Sequence, residues 1–493
     1  MVRQRLTKYA FYRFRYVFAY TLFGAALAAM LLLAGFYLPG GVTATEMRSV
    51  LLSDAVSVNA IFSLPPDQVV YLPYRLLQSV SLDLFGVTLL GIKLPSIVLG
   101  FFSAIGLLYL LNLWYKKNVA IVVAIVAVTT NQFLLASQAG QAGISYIFLT
   151  VMVLIAASMV SRRSVYANAW VIVGFVLAAI SLYMPLNIYM LLALILTALL
   201  QPHARYLVFK KASKAVVVAG IFLATIVASP LITGIVSHPQ IITRLLGLPS
   251  EPSSVFSNAA MLFQNYIQFA TPSAGAVITP VYGLGLVLLI LLGVYRLLTT
   301  KYTARNYVIS IWLLALIPLV CLNPEFVSIT FVPVMLLAAL GVDYLISSWY
   351  KLFPINPYAR VFGLAPLGIL LIGLTLSSVD RYTYGLHYDT AVYSSYNYDV
   401  PLLHKELQSL DKDNTVVLVV DKASEAFYRV LASKQQHVSS ITVVSSSSNL
   451  PTADVIIAER AFSTSIAQPP SQILVTRASQ DANRFYLYKN NAS

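Results

Sequence analysis

Long apolar stretches, separated by short polar ones, fill the first 379 residues of the chain. A helix needs roughly 20 apolar residues to cross a hydrocarbon core about 30 Å thick. By that measure the pattern predicts about eleven transmembrane helices, near residues 17–38, 94–114, 118–136, 143–161, 169–183, 185–200, 214–236, 276–299, 307–322, 329–349 and 361–379. The stretch 169–200 is divided at Pro185, because a turn there costs less than one continuous helix through the proline.

The pattern changes near residue 380. Short apolar segments predict a helix at Ser424–Ala432 and strands at Thr415–Asp421, Ile441–Ser445, Val455–Ala458, Ile473–Thr476 and Phe485–Tyr488. Eleven acidic and ten basic residues nearly balance in this part, as in a region surrounded by water. The predicted fold is an all-α polytopic membrane domain over 1–379, with a first outer loop at 39–93, and a small soluble α/β domain over 380–493.

A tyrosine-dense segment joins the two parts and contains Tyr382, Tyr384, Tyr388, Tyr393, Tyr396 and Tyr398. Tyrosine favours the level of the lipid headgroups, because its ring is apolar and its hydroxyl is polar. An aromatic belt at the membrane interface is the simpler interpretation. A platform on which a sugar or lipid stacks is the alternative.

Composition agrees with lipid as the main solvent, since 59% of the residues are hydrophobic, 10% are charged and the mean hydropathy is +0.79. The first apolar run is too long for the core of a cleavable signal peptide, so we expect it to remain as an anchor. Cys321 is the single cysteine. An intramolecular disulfide and a cysteine-based metal site are therefore excluded.

Basic residues test the predicted topology, because Lys and Arg concentrate in short cytoplasmic loops. With the N-terminus inside, the predicted inner segments hold eighteen basic residues, and the outer loops before residue 380 hold only Arg48, Arg75, Lys93 and Arg244. We predict a multi-pass protein of the cell membrane with a cytoplasmic N-terminus and an extracytoplasmic C-terminal domain. The net charge of +14 then reflects topology, so no nucleic-acid partner is expected.

Several motifs occur in a fixed order along the membrane part. They are Pro39-Gly-Gly-Val-Thr-Ala-Thr-Glu46, Val70-Tyr-Leu-Pro-Tyr-Arg-Leu-Leu77, Leu84-Phe-Gly-Val-Thr-Leu-Leu-Gly-Ile-Lys-Leu-Pro-Ser96 and Thr330-Phe-Val-Pro-Val-Met-Leu-Leu-Ala-Ala339. This order resembles that of the GT-C glycosyltransferases, in particular the family of dolichyl-phosphate-mannose:protein mannosyltransferases and bacterial aminoarabinose transferases. The resemblance implies a membrane-embedded glycosyltransferase that takes a sugar from a polyprenyl-phosphate-linked donor and adds it to an outer-face protein, lipid or glycan.

One outer turn departs from that family. Its members often carry Ser-Arg-x-x-Arg-x-Asp between the third and fourth helices, where this chain has Ser137-Gln-Ala-Gly-Gln-Ala-Gly143. Both arginines and the carboxylate are missing. A catalytically degenerate GT-C-like scaffold, which binds lipid or assembles with other subunits, is therefore an alternative function.

Candidate catalytic residues lie in the first outer loop. Such a transferase needs a base for the acceptor proton, and Glu46 is the candidate because it follows Pro39-Gly-Gly just beyond a predicted helix end. We expect its carboxylate to face a cavity at the outer membrane surface. A solvated loop carboxylate or a helix cap is the competing interpretation. Asp54 lies two helical turns further along and would assist Glu46 or line the same surface.

Arg75, Lys93 and Arg244 are the candidates for binding the lipid phosphate, since cations must stabilise the departing phosphate and guanidinium suits bidentate contact. Snorkelling to lipid headgroups is the alternative for each. No residue is assigned to a metal, because the five histidines show no ligand spacing. A divalent cation held by first-loop carboxylates stays open as a cofactor.

A transporter is the main rival among other functions. Ion-coupled carriers usually place ionisable groups near the middle of the membrane. Here the predicted helix centres lack Asp, Glu, Lys and Arg, and Asp343, near the inner end of its helix, is the exception. The pattern therefore favours the glycosyltransferase over the transporter.

Overall fold

A computed structural model describes residues 13–36, 41–162, 166–206, 213–249, 254–267, 281–300, 303–389, 392, 395–396, 400–435, 437–445, 451–466, 468–475 and 485–489. Most of these residues are helical. Tyr393 and Tyr398 of the tyrosine-dense segment lie outside the described residues. A small sheet follows near the C-terminus, so the predicted fold class, a helical membrane domain with a C-terminal α/β domain, is confirmed.

Eighteen helices make up the part before residue 389. They are α1 (Arg15–Phe36), α2 (Ala44–Asp54), α3 (Pro66–Val69), α4 (Leu72–Phe85), α5 (Leu89–Trp114), α6 (Lys117–Val128), α7 (Asn131–Gln138), α8 (Gly143–Ser161), α9 (Ala167–Ser181), α10 (Asn187–Leu200), α11 (Pro202–Tyr206), α12 (Lys214–Ser237), α13 (Gln240–Leu245), α14 (Val255–Ile267), α15 (Leu284–Thr299), α16 (Ala304–Leu322), α17 (Phe331–Leu352) and α18 (Pro357–Tyr388), counted over the described residues only. Short 3₁₀ turns occur at Val58–Ala60 and Pro324–Thr330.

Each predicted span overlaps an apolar helix or, for 118–136, the pair α6 and α7, while positions 37–38 and 276–280 lie outside the described residues. Seven helices are long and apolar enough to cross a membrane among the described residues, and α6 with α7 forms an eighth span if the pair, bent by 61°, crosses as one. The helices α9, α10 and α15 are apolar but shorter. The break expected at Pro185 is present between α9 and α10. How many of these helices cross the membrane stays a prediction.

The membrane core is built around α5, α6, α8 and α17, whose apolar side chains are mostly buried. By contrast, α12 and α18 bury little of their surface and present apolar side chains outward, as lipid-facing helices do. Helices α15 and α17 cross closely at Gly293 and Gly341, where any side chain would collide with a backbone carbonyl of the other helix. Small residues at such crossings are typical of membrane helix packing.

The first outer loop folds into the short helices α2, α3 and α4. Thr43 caps α2 through a capping box with Glu46, in which each side chain bonds the other residue's backbone N–H. Met47 and Val50 are buried on this helix. The helix ends at Asp54, and Ala55, which follows it, is exposed.

The C-terminal part contains helices α19 (Val400–Ser409) and α20 (Glu425–Ser433), and strands β1 (Thr415–Val419), β2 (Ser440–Val444), β3 (Val455–Glu459), β4 (Gln472–Leu474) and β5 (Phe485–Lys489). The strand order is β2-β1-β3-β5-β4, with β1, β2 and β3 parallel and β5 antiparallel to both of its neighbours. All five predicted strands and the predicted helix are therefore present, with Thr476 of the fourth strand outside the described residues. The proposed division at residue 380 stays a prediction, and α18 runs past it to Tyr388.

One apolar cluster joins the first outer loop to the C-terminal domain. Val42, Met47, Val50, Leu82 and Ile92 from the loop region pack in a single buried cluster with Leu403, Val416, Phe427 and Leu431 from the domain. The exclusion of water from this contact holds the domain against α2 and α4. The domain therefore lies directly over the loop that carries the candidate site.

Candidate functional site: Glu46 and the arginine cluster around Asp67

Glu46 is fully buried, and both of its carboxylate oxygens are occupied. Oε2 accepts the backbone N–H of Thr43 at 2.9 Å and the Thr43 hydroxyl at 3.2 Å. Oε1 accepts the backbone N–H of Gly140 at 2.6 Å. The carboxylate thus ties the start of α2 to the outer turn between α7 and α8.

Lys93, on α5, provides the countercharge. Its ammonium Nζ lies 3.4 Å from Glu46 Oε1, and both side chains are 1% exposed. The same Nζ lies 5.1 Å from the ring centre of Tyr396, close enough for a cation–π contact. It makes no hydrogen bond to any described residue, so Glu46 and the Tyr396 ring are what balance its charge.

The buried pair corrects one expectation. Glu46 does not face an open outer cavity, because its exposed fraction is 0%. Glu46 caps α2, as the competing interpretation expected, and it also contacts Gly140 and Lys93. Each of the two side chains already has a partner in this arrangement. The roles of Glu46 as base and of Lys93 as phosphate ligand stay predictions.

A polar network surrounds this pair. Gln78 on α4 donates its side-chain amide to the carbonyls of Ile92, at 3.1 Å, and Gly140, at 2.9 Å. Its amide oxygen accepts the hydroxyls of Ser49 and Ser53, each at 2.7 Å. The turn that lacks the family's arginines and carboxylate is therefore held by backbone groups of Gly140 instead.

Asp54 points to a different partner. Its carboxylate lies 2.9 Å from the ammonium of Lys434 in the C-terminal domain, and Asp83 contacts the same ammonium. Burial lowers the pKa of Lys434, but the hydrogen bonds to Asp83 and Asp54 outweigh that effect and raise it overall. Asp54 therefore fastens the domain to the loop, and its predicted catalytic assistance remains untested.

Two of the three predicted phosphate ligands meet at a separate place. Asp67 on α3 pairs with Arg244 on α13, and Arg48 lies 3.9 Å away on its other side. Arg75 acts on Asp67 electrostatically as well. The hydrogen bond from Arg244 is the main reason that the pKa of Asp67 is below its usual range. We call Arg48, Arg75 and Arg244 with Asp67 the arginine cluster.

Arg75 differs from the other two arginines in being buried. It is 7% exposed, its Nε donates to the Val70 carbonyl at 2.9 Å, and its Nη1 has no hydrogen-bond partner among the described residues. Desolvation lowers its pKa to about 10. A buried guanidinium with an unused N–H group is unusual, because buried polar groups are almost always hydrogen-bonded.

The backbone is strained on both sides of the cluster. Tyr71, which precedes α4, has φ of 66°, and Leu186, which precedes α10, has φ of 64°. The Tyr71 N–H donates to the Tyr183 carbonyl, and the Leu186 N–H donates to the Leu245 carbonyl beside Arg244. Non-glycine residues in this region cost free energy and concentrate at functional sites.

Sequence reasoning missed Arg48 and Asp67 as members of a site. The sequence did contain a signal for a short helix that includes Asp67, because Pro65-Pro66 directly precedes this residue and proline favours the first position of a helix. Arg75 follows eight positions later, in the next helix. The contact with Arg244 could not be read from the chain, since 177 positions separate the two residues.

No family model and no curated protein matches the chain. Among solved structures, ArnT from Cupriavidus metallidurans bound to undecaprenyl phosphate superposes with a TM-score of 0.52, at 13% identity, over 95% of this chain and 98% of that protein. This chain has the GT-C fold. The Archaeoglobus fulgidus oligosaccharyltransferase tethered to an acceptor peptide, a second GT-C protein, matches 87% of this chain and 64% of its own at 12% identity and a TM-score of 0.47.

A divalent cation would need several oxygen ligands from the first-loop carboxylates. Among the described residues there is no group of three or more His, Cys, Asp or Glu side chains that could hold a metal ion. Glu46 and Asp54 each face an ammonium instead. In this arrangement the first-loop carboxylates do not fit a divalent-cation site.

Proposed function

We propose that this GT-C-fold protein is a membrane glycosyltransferase that takes a sugar from a polyprenyl-phosphate-linked donor and transfers it to an acceptor on the outer face. The observation that carries the proposal is the arginine cluster, in which Arg244 and Arg48 pair with the carboxylate of Asp67 and Arg75 acts on it electrostatically. Arginine is well suited to phosphate because its planar group donates two parallel hydrogen bonds. The GT-C neighbour that holds undecaprenyl phosphate supports a ligand of this class.

The chemistry explains why cations are needed. The bond between the sugar C1 and the phosphate oxygen breaks, and its electron pair stays on that oxygen. The acceptor oxygen or nitrogen forms a bond to C1 and gives its proton to a base. The phosphate changes from a diester with one negative charge to a monoester with nearly two. Positive groups already in place stabilise that growing charge.

Within this proposal Arg75, Arg244 and Arg48 bind the phosphate. Glu46 is kept as the proposed base, and it would have to exchange the Gly140 N–H or the Lys93 ammonium for the acceptor group first. Such an exchange requires the loop and the C-terminal domain to move apart, because the domain packs over α2.

A second function is favoured by one specific observation. The carboxylate of Glu46 is occupied at both oxygens and screened from water, as in a purely structural residue. A GT-C scaffold that has lost catalysis would keep the lipid-phosphate site and bind lipid or assemble with other subunits. Lipid binding without turnover distinguishes it from the transferase.

The test uses the full chain, purified and reconstituted in nanodiscs, with a panel of polyprenyl-phosphate sugars. The transferase proposal expects release of polyprenyl phosphate with transfer of the sugar, and a KM raised at least ten-fold in Arg75→Ala and Arg244→Ala. Arg429→Ala is the matched control, because Arg429 is an exposed arginine paired with Glu425 in the C-terminal domain. Binding with no turnover across the panel favours the scaffold, and absence of binding contradicts both.

A further inference from the structure

Asp67 occupies the centre of the arginine cluster, where a phosphate would bind. Its side chain is 42% exposed, and those of Arg244 and Arg48 are 50% and 73% exposed, so the rest of the protein leaves the centre uncovered. Arg75 is buried and acts on the same carboxylate electrostatically. The carboxylate therefore stands in an accessible position that is lined by cations.

The charges in the cluster do not balance. Three arginines and one aspartate leave an excess of two positive charges, and Arg75 Nη1 has no hydrogen-bond partner among the residues that the structure describes. A carboxylate offers one negative charge and two oxygens. A phosphate monoester offers nearly two charges and three free oxygens. The cluster thus matches a phosphate monoester better than it matches the aspartate that it holds.

We propose that Asp67 is an internal anion which holds the three arginines together while the site is empty and which a polyprenyl phosphate displaces on binding. The inference rests on the proposed function for the identity of the lipid. It adds a role for Asp67, which sets the affinity of the site by competing with the ligand.

The competition acts unequally on donor and product. The donor phosphate carries one charge, so it gains less than the product does from replacing the carboxylate. The product carries nearly two and would bind a cluster of three bare arginines very tightly. By returning to the arginines, Asp67 lowers the affinity for the product and speeds its release.

The experiment measures binding of undecaprenyl phosphate to the full-length protein in phosphatidylcholine nanodiscs at low salt. Asp67→Asn removes the competing charge and keeps the size of the side chain. We expect its Kd to fall on the order of five-fold, as the removal of one like charge a few ångströms away predicts. The difference should shrink in 1 M NaCl, because exposed charges are screened there.

Asp83→Asn is the matched control, because Asp83 is an exposed first-loop acid that also pairs with a cation, Lys434, but lies outside the arginine cluster. Its Kd should stay at the wild-type value. Thermal melting verifies folding, and Asp67→Ser replaces the asparagine variant should that fail to fold.

Three results would overturn the inference. Weaker binding by a folded Asp67→Asn variant, with normal binding by the wild type, means that Asp67 only positions the arginines, and it leaves the proposed function standing. No binding of undecaprenyl phosphate by the wild type removes the proposed phosphate site as well. Equal competition by phosphatidylglycerol or by inorganic phosphate assigns the cluster to bulk lipid headgroups or to free phosphate.

Discussion

Lys93 Nζ lies 3.4 Å from Glu46 Oε1 at a place where both side chains are closed to solvent. Removing one member of a buried ion pair leaves the other charge uncompensated, which costs about 3–5 kcal/mol. We expect Glu46→Gln to destabilise the protein by about that amount, and Glu46→Gln with Lys93→Met to be more stable than Glu46→Gln alone. Thermal melting in nanodiscs measures both.

The pair of Glu425, which is 17% exposed, and the exposed Arg429 gives the control, since Glu425→Gln should cost no more than about 1 kcal/mol. A Glu46→Gln variant as stable as the wild type would contradict a structural role. If that stable variant also loses turnover, Glu46 acts as the base. In the double variant the unpaired ammonium of Lys93 is absent, so turnover can be measured there without the destabilisation that this buried charge causes.

Gly140 and Gly143 lie in the same outer turn, but we expect their substitution by alanine to change stability in different ways. A Cβ on Gly140 would lie 2.5 Å from Ile92 Cγ2 and 3.4 Å from Glu46 Oε1, so the turn would have to move away from Glu46. We expect Gly140→Ala to destabilise the protein by about 1–3 kcal/mol, as overpacking does. Gly143→Ala should be neutral or slightly stabilising, because no atom lies within 4 Å and alanine favours the helix that begins there.

Melting temperatures of the two alanine variants decide the matter. Equal destabilisation would show that the turn resists any side chain. An unchanged Gly140→Ala variant would mean that the hydrogen bond from Gly140 to Glu46 is not what secures this turn.

Much of the architecture was readable from the chain because it depends on local pattern. The strand Thr415–Val419 is a run of apolar and β-branched residues, and the break near Pro185 follows from one proline. The cap formed by Thr43 and Glu46 also spans only three positions. Local rules are sufficient for features of this kind.

The contacts that define the candidate site were not readable in the same way. Glu46 meets Gly140 across 94 positions, and Lys434 meets Asp83 across 351. Nothing in the neighbouring residues specifies either partner. Glu46 and Lys93 were named for chemistry, yet the Tyr396 ring beside Lys93 and the domain that packs on α2 come far later in the chain. The sequence alone could not reveal these contacts.

Membrane topology is tested best with residues that are exposed in the structure. Ser137, in the predicted outer turn, is buried and would not react with a labelling reagent. Phe62 in the first loop is 60% exposed, and Lys116 and Lys412 are exposed as well. In a Cys321→Ser background, we expect cysteines at Phe62 and Lys412 to be labelled from outside the cell and a cysteine at Lys116 only after permeabilisation. Labelling of Phe62 and Lys412 from opposite sides would contradict the packing of the domain on the first loop.

The salt bridges of Lys434 contribute to the docking of the C-terminal domain on the first outer loop. Its ammonium contacts Asp54 and Asp83, so Lys434→Met leaves two carboxylates of the loop facing each other. We expect a loss of about 1 kcal/mol, because the pairs are partly exposed, and faster amide hydrogen exchange over residues 44–54. Lys422→Met is the control, since Lys422 forms no salt bridge with a described residue. Exchange that stays at the wild-type rate would assign the docking to the apolar cluster alone.

Glu459, at the end of β3, gives a prediction about pH. Its side chain is 4% exposed; Oε2 accepts the backbone N–H of Asp421 at 2.9 Å, while Oε1 has no partner among the described residues. Burial raises the pKa of this carboxyl above its ordinary value of 4.5. The folded state therefore binds the proton more tightly than the unfolded state does, and stability falls as the pH rises from about 4.5 through the raised pKa.

Glu459→Gln keeps an oxygen for the Asp421 N–H and removes the charge. We expect this variant to be about 1 kcal/mol more stable than the wild type at pH 7, since the isolated buried charge is gone. Near pH 4.5 the difference should nearly vanish, because the wild-type carboxyl is then protonated in the folded state. Melting curves at both pH values measure this, with Glu425→Gln as a control on the same domain, because Glu425 is paired with Arg429. A variant that is less stable at pH 7 would mean that Oε1 has a partner whose loss outweighs the removed charge.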